Sequence, residues 1–163
     1  MRKIILMTIV FTASSFLFAE TGNGKSYGIA VNPPMTMFRI VSGEFNIWNI
    51  TRHGEINVPF LFTYKQDFID YEDLDIYSIG TKYRHFMIED QNGFFGEMGY
   101  GFYLANADNN HKVNTLSFGL GYRLIYDNGF FWGCSLSLGR AWVFDQQDFI
   151  IYDVDFFKVG YCW

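Results

Sequence analysis

The chain has little of what a soluble enzyme or a helical membrane protein depends on. Its 163 residues include only three prolines and two cysteines, and charged residues make up 18%, against roughly 25% in soluble domains. Beyond the first 19 residues no apolar run approaches the ~20 residues that a helix needs to cross a bilayer. If this chain enters a membrane, it does so as strands. The cysteines, Cys134 and Cys162, show no metal-ligand spacing. They fall on opposite faces of the strands read below, so a bridge between them is not expected. Net charge is −5, which argues against a nucleic-acid partner. No segment carries the periodicity of an amphipathic helix.

Aromatic residues, by contrast, reach 21%, and there are 16 glycines. That is more aromatic surface than a soluble core of this size uses, and a bilayer is the simplest environment for the surplus. The N-terminus reads as a secretory signal peptide over residues 1–19: Arg2 and Lys3, an apolar run from Ile4 to Phe18, then Ala19 before the expected cut. Leu17 is bulkier than usual for its position, which leaves the cleavage point open. Removing residues 1–19 leaves ten basic and seventeen acidic side chains, a charge of −7. Residues 20–26 form a polar, flexible leader, and residues 27–163 one further domain.

Within that domain the dominant pattern has a period of two, the repeat of a strand with one apolar face. In 115–126, Leu116, Phe118, Leu120, Tyr122, Leu124 and Tyr126 oppose Ser117, Gly119, Gly121 and Arg123. In 130–142, Trp132, Leu136, Leu138 and Trp142 oppose Gly133, Ser135, Ser137, Gly139 and Ala141. Run 94–104 repeats the theme, with Gly96 interrupting its apolar face. Less regular runs cover 27–31, 38–48, 56–64 and 76–87, with Pro59 awkward inside a closed sheet. The last run ends D-V-D-F-F-K-V-G-Y-C-W, where Phe157, Val159, Tyr161 and Trp163 alternate with Lys158, Gly160 and Cys162. Eight strands result. Asn92-Gly93 and Asn128-Gly129 are hairpin signals. The expected connections alternate between mostly short (49–55, 89–93, 127–129) and longer polar ones (68–75, 105–114, 143–153).

The terminal F-x-V-x-Y-x-W strand resembles the last strand of bacterial outer-membrane β-barrels, where such a strand addresses the chain to the barrel-assembly machinery. The signal peptide, eight dyad strands and alternating loop lengths together resemble the eight-stranded OmpA/OmpX/OmpW class of small barrels. The segment Asn32-Pro33 followed by Ser42-Gly43-Glu44-Phe45 is similar to small outer-membrane barrels as well. The resemblance implies an all-β, antiparallel, up-and-down transmembrane barrel in the bacterial outer membrane, with outer-membrane lipid and the assembly machinery as partners. It also implies Phe157, Val159, Tyr161 and Trp163 as the assembly signal.

Alternation alone does not say which face points outward. A lipocalin-like soluble barrel has the same period with its apolar face inside. Glycine and serine suit a narrow interior better than a solvated exterior, and Tyr126, Trp132, Trp142, Tyr161 and Trp163 near strand ends suit an interfacial girdle. The apolar face also carries more Phe, Tyr and Trp than so narrow a lumen could hold, and is therefore expected to point out. Glu44, Lys82, Arg84, Glu97, Arg123 and Lys158 fall on the small-residue face, where they would have to pair in a shared lumen. The acids of two long loops (Asp67, Asp70, Glu72, Asp73 and Asp75; Asp145, Asp148, Asp153 and Asp155) match no calcium-loop spacing and read as a solvated surface. His111, Asp108 and Ser117 are the one conceivable catalytic set, without a nucleophile motif; His53 and His85 read as structural. The expectation is a non-enzymatic protein without cofactor or metal, its lumen closed by salt bridges and its role structural or interactive at the cell surface. The alternatives are a soluble barrel for an apolar ligand and a narrow pore for small solutes.

Overall fold

A computed structural model of the chain describes residues 26–163 except 64–65, 69–70, 89–90, 107–109 and 144–148. The expected signal peptide, residues 20–25 of the leader, and Asp70, Asp108, Asp145 and Asp148 lie outside the described residues. The described chain is almost entirely strand: β1 (Tyr27–Val31), β2 (Ile40–Thr51), β3 (Gly54–Thr63), β4 (Gln66–Phe68), β5 (Tyr71–Phe86), β6 (Gly93–Asn106), β7 (Asn110–Ile125), β8 (Phe130–Val143) and β9 (Phe149–Cys162), with one helical turn, α1 (Pro33–Thr36).

The nine strands form one antiparallel sheet that closes in a ring. Each strand pairs with its chain neighbours, except that β3 passes over the short β4 to pair with β5, and β1 closes the ring against β9. β4 pairs only with the far end of β5. This ninth strand lies between the expected strand 56–64 and the expected connection 68–75, and β5 begins inside that connection, at Tyr71. Strands also extend into the other expected long connections: β6 runs to Asn106, β7 starts at Asn110 and β9 starts at Phe149. Charged residues in these stretches, such as Asp75 and Asp153, are held by the ladder and not by local propensity.

The turns opposite these extensions follow from residue type. Gly129 has φ +90° and Gly93 has φ +88°, a region open to glycine at no steric cost. Tyr126 N donates to Phe130 O at 2.8 Å, closing the β7–β8 hairpin. Pro59 fits because no ladder pair toward β5 forms at Val58 or Pro59, so its missing N–H interrupts nothing on that side.

Inside and outside are reversed relative to a water-soluble protein. Leu120 is 71% exposed and Phe118 56%, with Ile79, Leu136 and Leu138 similarly open, whereas Arg123 is 2% exposed and Glu55, Asn46 and Asn57 fully buried. The small-residue face thus points into the ring and the apolar face out of it. Four aromatic rings, Trp48, Phe86, Phe95 and Phe131, are buried inside. Three of them lie over glycines of a neighbouring strand: a side chain at Gly121 would land on the Phe95 ring, one at Gly160 on Phe131 and one at Gly28 against Trp48, while Phe86 packs on Phe95 with ring centroids 5.0 Å apart.

Gly121→Val should therefore displace Phe95 and destabilise the fold by about 1–3 kcal/mol, while Gly96→Val, at a position with nothing within 4 Å of an added Cβ, should change little. Urea unfolding in detergent micelles compares the two; equal stability of both variants would contradict the packing described.

Candidate functional site

Among the described residues, charge concentrates in the ring interior. Period-two alternation places Glu44 of β2, Lys82 and Arg84 of β5, Glu97 of β6, Arg123 of β7 and Lys158 of β9 on the inner wall, and all six are buried. They form a connected set. Arg84 donates from both terminal nitrogens to Glu44, at 2.7 and 2.9 Å, and from Nε to Glu97 at 2.8 Å. Lys82 reaches Glu97 at 3.0 Å, and Lys158 reaches Glu44 at 2.6 Å.

Three acids that sequence reasoning left in turns and loops complete the set. Glu55 bridges two cations: its Oε1 accepts from Arg84 at 3.2 Å, and Arg123 grips both its oxygens at 3.1 and 2.8 Å. It has the parity of Asn57, so alternation carried two residues further back would have found it. Asp153 pairs with Lys82 at 3.0 Å. Asp155 pairs with Lys158 at 2.6 Å and accepts from Asn32 Nδ2 at 3.1 Å. Strict alternation puts Asp155 on the outer face with Phe157. A register shift between Gly133 and Ser135 inserts an extra β9 residue and turns Asp155 inward. Ser137 adds a donor to Glu97 at 2.6 Å.

The end of the ring near the short turns is sealed differently. The Arg123 guanidinium lies 4.4 Å from the ring centroids of both Trp48 and Phe86 and 5.4 Å from Phe131, a stacked arrangement that a planar cation favours. Its Nε and a terminal nitrogen donate to Gln91 O at 3.2 and 3.1 Å. Arg84 covers Phe95 at 4.9 Å. At the opposite end is a cavity of about 80 Å³, bordered by Lys82, Asp153, Asp155, Lys158 and Met35 of α1. That is room for two or three waters.

The remaining candidates do not assemble. His111 and Ser117 stand six residues apart on β7, roughly 20 Å along a strand. Their third partner, Asp108, is outside the described residues. His53 and His85 lie side by side, ring centroids 5.6 Å apart, and His85 is on the outer face. No group of three or more potential metal ligands occurs among the described residues. Cys134 and Cys162 form no disulfide, and the Cys162 thiol donates to Gly129 O at 3.0 Å. Phe157 and Tyr161 are exposed on the outer face of β9, Val159 pairs with Val31, and the Trp163 backbone exchanges hydrogen bonds with Tyr27 at 3.0 and 3.1 Å. No protein-family model, curated protein or solved structure matches the chain.

Chemically, the interior among the described residues offers charges held in ion pairs. Glu55→Gln should be costly, because Arg123 then keeps no carboxylate among the described residues, and breaking a buried pair costs about 3–5 kcal/mol. Adding Arg123→Met should restore much of that loss, since the flexible thioether suits the aromatic cage. Urea titrations of the single and double variants in micelles test this; a double variant no more stable than Glu55→Gln would show that the pair is not the source of the loss.

Proposed function

We propose that this protein is a non-enzymatic, eight-stranded outer-membrane β-barrel with a closed lumen and a structural or surface-interaction role. Inside-out polarity carries the reading. Burying Glu44, Glu55, Arg84 and Arg123 while leaving Leu120, Phe118, Leu138 and Ile79 exposed would be unstable in water. Each fully exposed Leu or Phe forgoes about 1.5–3 kcal/mol of burial. The same distribution suits a bilayer outside. Tyr27, Tyr122, Trp132 and Tyr161 toward one end of the apolar face, and Tyr77, Trp142 and Tyr152 toward the other, suit the two aromatic belts of a membrane-spanning barrel. The eight strands of the ring are the barrel, and β4 is a short hairpin arm beyond it.

In this reading residues 1–19 direct export, the barrel-assembly machinery recognises the β9 strand through Phe157, Val159, Tyr161 and Trp163, and outer-membrane lipid surrounds the apolar face. A lipocalin-like carrier is disfavoured, since a cavity for an apolar ligand would replace the ion pairs. A conducting pore is disfavoured too, because the Arg123 cage and the Glu44–Arg84–Glu97 layer fill the cross-section in series.

Cell fractionation tests location: the mature chain should stay in the membrane pellet through an alkaline wash and dissolve only in detergent, and recovery in detergent-free buffer would refute the membrane reading. Planar-bilayer recording tests closure. The wild-type chain should give no steady conductance; stable channels would refute a closed lumen while leaving the barrel intact.

A further inference from the structure

His53 and His85 take no part in the buried ion pairs, yet one ladder brings them together. Arg52 and His53 form the turn between β2 and β3, with Thr51 paired to Gly54 across it. Gly54 also pairs with His85 of β5, and Phe86 N donates to His53 O at 2.7 Å. The β3–β5 ladder thus fixes both backbones, and the two imidazole centroids stand 5.6 Å apart. His85 is exposed and His53 half-buried, at the end of the ring that carries the short turns. His53 Nδ1 is shielded from solvent and has no hydrogen-bond partner among the described residues, although a buried polar nitrogen is ordinarily paired.

Neutral imidazole is the commonest metal ligand in proteins, and spacing decides whether two of them can share one ion. A tetrahedral ion about 2.1 Å from one nitrogen of each ring sets the ring centres roughly 5 Å apart. The 5.6 Å seen here comes within that range by rotation of the exposed His85 side chain, with the backbone unmoved. Ring packing alone accounts for the distance but leaves His53 Nδ1 without a partner; a bound ion accounts for both. We infer that His53 and His85 form a binding site for a divalent late transition-metal ion of the Zn²⁺ or Cu²⁺ type, with water in its remaining positions. Imidazole suits these ions, whereas Mg²⁺ and Ca²⁺ take oxygen ligands, which the pair does not supply. The ion clips the β2–β3 turn to the end of β5, outside the ring and apart from the ion pairs. The inference therefore depends neither on a closed lumen nor on lipid around the apolar face.

Proton–nitrogen correlation NMR of the histidine rings in the folded, untagged protein tests it, with ZnCl₂ as the probe. Equimolar Zn²⁺ should shift the ring nitrogens of His53 and His85 together and leave those of His111 in place. EDTA should reverse the shift, and excess Mg²⁺ should not reproduce it. His85→Asn changes an exposed position, so the amide spectrum should stay that of the folded protein. Zn²⁺ binding at His53 should nevertheless weaken on the order of tenfold or more, because no second ligand then acts within the same molecule. His53→Asn should weaken binding at His85 in the same way. The site is refuted if neither ring responds to equimolar Zn²⁺, if His111 responds equally, or if His85→Asn leaves the affinity at His53 unchanged.

Discussion

The Glu55 carboxylate, shared between Arg84 and Arg123, is the interaction on which the rest of the structure depends. Both guanidinium groups are buried in a narrow ring, where an unpaired ion is costly. One acid on β3 therefore ties β5 and β7 across the interior, 29 and 68 residues away in the chain. Glu44 and Glu97 extend the tie to β2 and β6, and Lys158 to β9. Pairing these buried charges links strands that are distant in the chain, because leaving any one of them unpaired would be costly.

Glycine makes this filling possible. Gly28 and Gly160 give up their volume to Trp48 and Phe131, two of the rings around Arg123, and Gly121 gives up its volume to Phe95, which Arg84 covers. The interior thus has two zones: a dry aromatic seal on one side, and an ionic layer opening to a small polar cavity on the other. Wall and plug are coupled, since the bulge that turns Asp155 inward is part of the β8–β9 ladder.

Much of this was legible in sequence because a strand exposes its two faces by simple alternation. Leu116 to Tyr122 against Ser117 to Arg123 reads directly, and so do the turns at Gly93 and Gly129. What alternation misses is non-local. Asp155 changes face only because of a bulge, and nothing in D-V-D-F-F-K marks it. Phe95 and Phe131 have inward parity, but only the register that pairs them with Gly121 and Gly160 of the next strand explains how they fit. Glu55 was hidden by its nearness to a turn. The acids of the expected long loops looked solvated until strand pairing extended β5 and β9 through them.

The central claim is that the apolar face of these strands meets lipid while the charged face is enclosed. Nuclear Overhauser contacts between acyl-chain methylene protons and backbone amides or side chains, recorded with the protein in lipid nanodiscs, test it most directly. The account predicts contacts at Phe118, Leu120, Leu136 and Leu138 and none at Ser117, Gly119, Ser135 or Ser137. Absence of acyl-chain contacts at the first set, with the protein folded, would contradict it.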